Sequence, residues 1–255
     1  MTTPLMPPGV QHTGLPQTPQ PFGLWSVAPP IDLDPPARLL GGVHWTPTNC
    51  GPSGIWQHEP CPDPEIPPAQ TKTGARPDDD TFPTLVVWAT DECSLYATDT
   101  SENQARAAQL LMLHAPLWVE QAFATELAAR ATPLPDAGDL TEAFGALEEA
   151  LGETGFGGVL HARRGLSAAA AERRLTSAQG STLVTQLGNR VAFGGGYTAL
   201  GNTVYATGPV TVWRGPIIPR VAVEPTTNER QAVAERMFGF GWECPTTVYA
   251  VEVTG

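Results

Sequence analysis

The chain has 255 residues, 41% of them apolar, and a formal net charge of −12, which suffices for one large or two small domains with real cores. The acidic balance argues against tight gripping of nucleic-acid phosphates, which calls for a basic stripe; the nearest match, Arg163-Arg164 with Arg173-Arg174, reads as a solvated helix face. There is no run of 18 apolar residues to span a membrane, and "MTTPLMPPGVQHTG" lacks the basic and apolar regions of a secretory signal.

Prolines are uneven: 19 of the 27 fall in residues 1–83. Residues 1–37 hold ten of them and cannot build a core alone, yet Phe22, Leu24, Trp25, Ile31 and Leu33 are spaced like anchors. This stretch reads as an arm that lies against something else. Residues 38–82 stay poor in regular structure, and "PCPDPEIPPAQTKTGARPDDD" is a long polar loop with a charged tip. It contains Lys72, the only lysine. His44, Cys50, His58 and Cys61 offer four metal-ligand types within 18 residues, but without the short C-x-x-C or H-x-x-x-H spacings that hold zinc. A Cys50–Cys61 clip, or two unpaired thiols, outranks zinc there.

From Phe82 the pattern becomes regular. "TLVVWAT" predicts a continuous apolar strand. Residues 101–131 predict a long helix with Ala107, Leu110, Leu111, Trp118, Ala122, Phe123 and Leu127 at helical spacing and a Ser101/Gln104 capping box. Pro116 should kink or split it. A second helix runs from an Asp139 cap, with Glu142 as capping partner, to Gly155. A strand "GGVLHA", an Ala-rich helix from Ser167 to Leu175, and β segments "TLVTQL", "RVAFGG", "NTVYAT" and "PVTVWRG" follow. "RVAVE", "ERQAVAERMFGFGWE" and "TTVYAVEV" close the chain, the last two read as strands folded around Cys244-Pro245.

Three consecutive glycines, Gly194-Gly195-Gly196, invite a phosphate-cradle reading. The P-loop needs Lys and then Ser or Thr, whereas Tyr197 and Thr198 follow; the dinucleotide fingerprint needs a helix, whereas Thr203–Thr207 reads as strand. A bend is the better reading. His161, on a strand, reads as a satisfied core histidine, and no nucleophile, base and oxyanion site assembles. No catalytic residue, metal or cofactor is expected.

The order of elements resembles the Hong Kong 97-type phage major capsid fold, in the compact form found in tailed phages of actinobacteria. "FPTLVVWATDECS" precedes the spine helix, "ALEEALGETGFGGVLHARRGLSAAAAERRL" is similar to the axial helix–strand–helix, and "TQLGNRVAFGGGYTALGNTVYATGPVTVWRG" resembles the axial β part. "TTNERQAVAERMFGFGWECPTTVYAVEV" resembles the closing peripheral strands. The resemblance implies an α+β chain with an N-terminal arm (1–37), an extended loop (38–82), a peripheral domain (83–135 and 221–255) and an axial domain (136–220). It implies a non-enzymatic subunit that assembles with itself into pentamers and hexamers of an icosahedral shell. The shell would enclose double-stranded DNA without sequence-specific binding, with portal, scaffold or decoration proteins as further partners. The location would be the virion, after assembly in the host cytoplasm, with no membrane involved. Fixing 37 arm residues costs roughly 1–2 kcal/mol each, so burial on neighbours is expected to offset it. Trp25, Ile31, Leu33, Lys72, Gly194, Gly195, Gly196 and Tyr197 are then subunit-interface candidates. Some members of the fold join a loop lysine to a neighbour's asparagine; a free surface lysine is the better reading of Lys72. The alternatives are an encapsulin-type compartment, a minor capsid or tail component, and, from another class, a zinc enzyme using His44, Cys50, His58 and Cys61.

Overall fold

The computed structural model describes residues 14–33, 36–55, 74–96 and 99–255. In the arm, α1 is one turn, Leu24–Val27, and β1 covers Ile31–Asp32. β2 (Val43–Trp45) and β3 (Asp80–Phe82) pair antiparallel. They form the base of an excursion over residues 46–79. The apolar run after Phe82 becomes β4, Thr84–Ser94.

The long helix, α2, spans Thr100–Arg130 without a break. The expected split at Pro116 does not occur. Losing one helical hydrogen bond costs about 3 kcal/mol, but Ala115 and Val119 on either side are buried, and that burial offsets the loss. The cap also differs. Asp99 sits at the N-cap, and the Ser101 hydroxyl donates to its carboxylate at 2.8 Å. Leu110 and Trp118 point outward; the inward face is instead completed by Ala115, Val119, Glu120 and Ala124.

β5 (Thr132–Pro133) leads to α3, Leu140–Thr154. Here the expected cap forms. The Asp139 carboxylate accepts from the Thr141 and Glu142 amides, Glu142 accepts from the Gly138 amide, and Gly155 ends the helix at φ +79. β6 (Val159–Arg163), α4 (Ser167–Glu172), β7 (Thr176–Gln179), β8 (Thr182–Thr185), β9 (Arg190–Gly194) and β10 (Thr203–Thr207) follow. β7 was not expected, because its "TSAQ" is polar and almost wholly exposed. The last strands are β11 (Val210–Arg214), β12 (Ile218–Glu224), β13 (Glu229–Trp242) and β14 (Tyr249–Glu252).

Two main sheets result. In the first, β13 is the axis: β11 and β12 pair in succession along one edge, β4 runs along the other, and β1 extends the sheet beside β11. In the second the order is β5-β14-β10-β6-β9-β8-β7. The hairpin expected around Cys244-Pro245 is therefore corrected. β13 and β14 lie in different sheets, and β14 pairs with β10. Sheet membership also crosses the chain order: β11 and β12 pair with β13, while β14 joins the sheet of β6, β9 and β10. One core fills the space between α2, the arm, the first sheet and one face of the second, through Val159, Ala192, Tyr205 and Ala250; the other lies between α3 and the opposite face of the second sheet.

The arm expectation also changes. Leu24, Val27 and Ala28 are buried in the first core, and Asp32 pairs with Arg214 at 2.7 Å and Arg236 at 3.2 Å. Part of the arm's ordering cost is thus offset within the chain itself. Leu24→Ala should lower the unfolding free energy by about 2–5 kcal/mol, as a fully buried leucine does. Denaturant titration of the soluble chain checks this, and a change under 0.5 kcal/mol would return the arm to a purely external role.

Candidate functional site

The triple glycine meets α2 and the arm at a buried carboxylate. Glu120 Oε1 accepts from the Leu24 amide and Oε2 from the Gly196 amide, each at 2.8 Å. The glycine turn does donate to a carboxyl group, and that group is the chain's own. Burial lifts the Glu120 carboxyl above the ordinary glutamate range, and the Gly196 and Leu24 amides only partly oppose this.

Close approach, rather than positive φ, explains the glycines. At Gly196 a Cβ would come within 2.6 Å of the Glu120 Cβ and closer still to the Leu117 carbonyl oxygen. At Gly194 it would come within 2.7 Å of the Tyr197 ring. At Gly195 the nearest atom would be 3.6 Å away, an ordinary contact.

Tyr197 turns inward and is fully buried. Its hydroxyl lies 3.3 Å from His161 Nδ1, and His161 Nε2 lies 3.0 Å from Thr207 Oγ1. The Thr207 hydroxyl donates to the Gly208 carbonyl, so its oxygen accepts from Nε2–H, and Nδ1 accepts from the tyrosine. Burial pushes His161 down to about 3, so it stays neutral near pH 7. It is a satisfied core histidine, as its strand position suggested.

A second carboxylate holds the root of the excursion. Glu243 Oε1 accepts from the Thr48 and Asn49 amides, each at 2.8 Å, and Oε2 from the Trp45 indole N–H at 2.9 Å. Burial pushes this group up, but these donors outweigh it and hold the carboxyl below its usual range. Beside it, Cys50 is bonded to Cys244, with Cα atoms 5.7 Å apart. The Cys50–Cys61 clip is thereby corrected, because Cys50 has its partner in a residue distant in sequence and adjacent in space. The bond also removes Cys50 from the zinc set, since a disulfide sulfur is not a thiolate ligand. His44 is exposed on β2, and His58, Cys61 and Lys72 lie outside the described residues.

The interface candidates divide. Trp25 is half-buried and stacks on Phe238 with centroids 6.0 Å apart; Leu33 packs on the same core. Gly194, Gly196 and Tyr197 face inward. These five are used within the chain, and Ile31 and Gly195 remain exposed. The sequence reading missed a different surface. On the side of the first sheet away from α2, Val86 is 52% and Trp88 62% exposed on β4. Ile218 on β12 lies across from them, two strands over. "TLVVWAT" reads as uniformly apolar and gives no sign that only one face is covered.

The sequence matches no protein-family profile and no curated protein. Solved structures do match. One from Mycobacterium phage Adephagia aligns with a TM-score of 0.58 at 13% identity, over 98% of this chain and 96% of that one. The capsid of an empty GTA particle aligns with a TM-score of 0.56 at 14% identity, over 98% and 96%. A structure of phage G gp27 major capsid proteins and gp26 decoration proteins aligns with a TM-score of 0.54 at 11% identity, over 96% and 92%. The chain has the Hong Kong 97-type capsid fold, α+β, over nearly its whole length.

Two outcomes test the junction. Gly196→Ala should destabilise the chain by about 1–3 kcal/mol through overpacking on helix backbone, while Gly195→Ala should change stability by less than about 0.5 kcal/mol. Equal effects in thermal unfolding would contradict the close-approach account. The second outcome concerns pH. A raised folded-state pKa gives Glu120 a contribution fully present below its unfolded value and lost as pH rises through the folded one. Relative to Glu120→Gln, the parent chain should therefore lose unfolding free energy with rising pH across that window, and parallel pH profiles would disprove the assignment.

Proposed function

We propose that the chain is a major capsid protein that assembles with itself into an icosahedral phage head shell. The observation that carries this is the end-to-end likeness to capsid chains, covering 98% of this chain and 96% of the GTA capsid chain. In this reading the first sheet with α2 forms the peripheral domain, the second sheet with α3 forms the axial domain, and residues 46–79 form the extended loop. Pentamers and hexamers of the chain build a shell around double-stranded DNA without reading its sequence. Portal, scaffold and decoration proteins are its further partners, the virion its location and the host cytoplasm its place of assembly. The role is structural, not enzymatic.

The chemistry of the described residues is consistent with that role. Both buried carboxylates are consumed by backbone and indole donors of the chain itself, and His161 is neutral and enclosed. The exposed Val86 and Trp88 supply apolar area for a neighbouring subunit, and an aromatic ring there carries a large share of contact energy at low entropy cost. An encapsulin-type compartment shares the fold and differs in enclosing protein cargo.

Negative-stain imaging of the purified chain should show closed shells, and a chain that stays monomeric at high concentration would overturn the reading. Trp88→Asp should leave subunit stability within about 0.5 kcal/mol, as for an exposed site, while suppressing shell formation. Normal shells from that variant would remove β4 from the interface.

A further inference from the structure

The excursion over residues 46–79 is fastened at its root by two different chemistries. Glu243 holds Trp45, Thr48 and Asn49 by hydrogen bonds, and the next residue on each strand of chain, Cys50 and Cys244, carries a covalent bond. Residues 51–55, immediately beyond Cys50, are exposed. The disulfide is thus the outermost fastening on the described part of this leg. Cys244 is almost wholly buried, whereas Cys50 is half-exposed. A soluble reagent therefore meets Cys50 first, and Cys244 waits behind it. The Glu243 contacts are separate hydrogen bonds from residues 45–49, so they favour, without locking, the approach of Cys50 to Cys244 in the dithiol.

We propose that Cys50–Cys244 is a redox lock on the excursion, open as a dithiol in reducing surroundings and closed by thiol–disulfide exchange once the chain leaves them. Reducing cytosol keeps thiols free, and oxidising surroundings let disulfides persist. The oxidant is a low-molecular-weight disulfide, RSSR. The Cys50 thiolate attacks one of its sulfurs and expels RS⁻. The deprotonated Cys244 then attacks the Cys50 sulfur of the mixed disulfide and expels the second RS⁻. One S–S bond is consumed and one formed, and the two thiol protons leave on two RSH. Opening is the reverse, with a reduced thiol as donor. While open, residues 50–55 are released from β13; when closed, they are tied to its end.

The lock is tested on the soluble full-length chain, so its failure would leave the capsid reading standing. Cells are lysed directly into denaturant with an alkylating agent, and the cysteines are mapped by mass. A second sample is purified reduced, treated with oxidised glutathione and mapped again. Cys50 and Cys244 should both be alkylated in the first sample and joined to each other in the second. Hydrogen exchange over residues 46–55 should slow about tenfold on closure, with α2 and β9 unchanged. Cys50→Ser, which leaves buried Cys244 in place, should keep the open rate under both conditions. A bond already present in the cytosolic extract, a Cys50–Cys61 product, or unchanged exchange over residues 46–55 would each overturn the proposal.

Discussion

The Glu120 carboxylate fixes three pieces of chain that are far apart in sequence. A buried carboxylate costs several kcal/mol unless its oxygens are met by donors. Here the donors need it equally. The Leu24 amide opens α1, where no helical acceptor precedes it. The Gly196 amide lies in a turn pressed onto α2, where water has no access to replace the acceptor. Removing the arm would therefore uncover the core around Leu24 and also leave one oxygen of the buried Glu120 carboxyl without its donor. This coupling makes the arm part of the subunit, and it explains why glycine is required at 196. The carboxylate reaches the amide only if the turn lies against the helix backbone.

Glu243 plays the same part at the other end of the first core, with a different outcome. Its donors come from the start of the excursion, so it fixes where that loop leaves the body and not how the body packs. β13 connects the two regimes. Its first half lies between β12 and β4, and its last residues, from Phe238 to Trp242, are buried beside β11. One strand thus runs from a thin three-stranded ribbon into the main core. The chain then turns at Cys244, with φ +56, and crosses into the second sheet as β14.

Local signals in the sequence located the longer helices and strands but not the short α1, β1, β3, β5 and β7. The Asp139 cap and the Gly155 stop bound α3 because both act through backbone groups within one turn. Pairing across distance was less legible. "GFGWECPTTVYAVEV" has the look of a hairpin, and nothing local reveals that β10 offers β14 a better edge. The split allowed at Pro116 does not occur for the opposite reason: the proline's cost is local and fixed, while the burial that outweighs it comes from the arm and the sheet. Glu120 went unnoticed as a site because a lone glutamate in a helix reads as solvated. Its one signal was its place on the same face as Val119, Phe123 and Leu127. Cys50 offered no clue to Cys244, since 194 residues separate them.

The internal use of Trp25, Leu33 and Tyr197 narrows what is left for contact between subunits. With a charge of −12 on each copy, identical subunits repel, and at physiological salt that repulsion is screened beyond about 8 Å. In the proposed shell, association must then rest on short-range apolar contact, which is insensitive to the charge once surfaces touch. Ile31 on β1 and the Val86–Trp88 face of β4 belong to the same sheet, the one built on β13. Its covered side is anchored by α2 and the arm, so the sheet keeps its shape before a neighbour arrives. A neighbour that docks on it would have little further ordering to offset, because the Glu120 junction and the core around it have already ordered the sheet during folding.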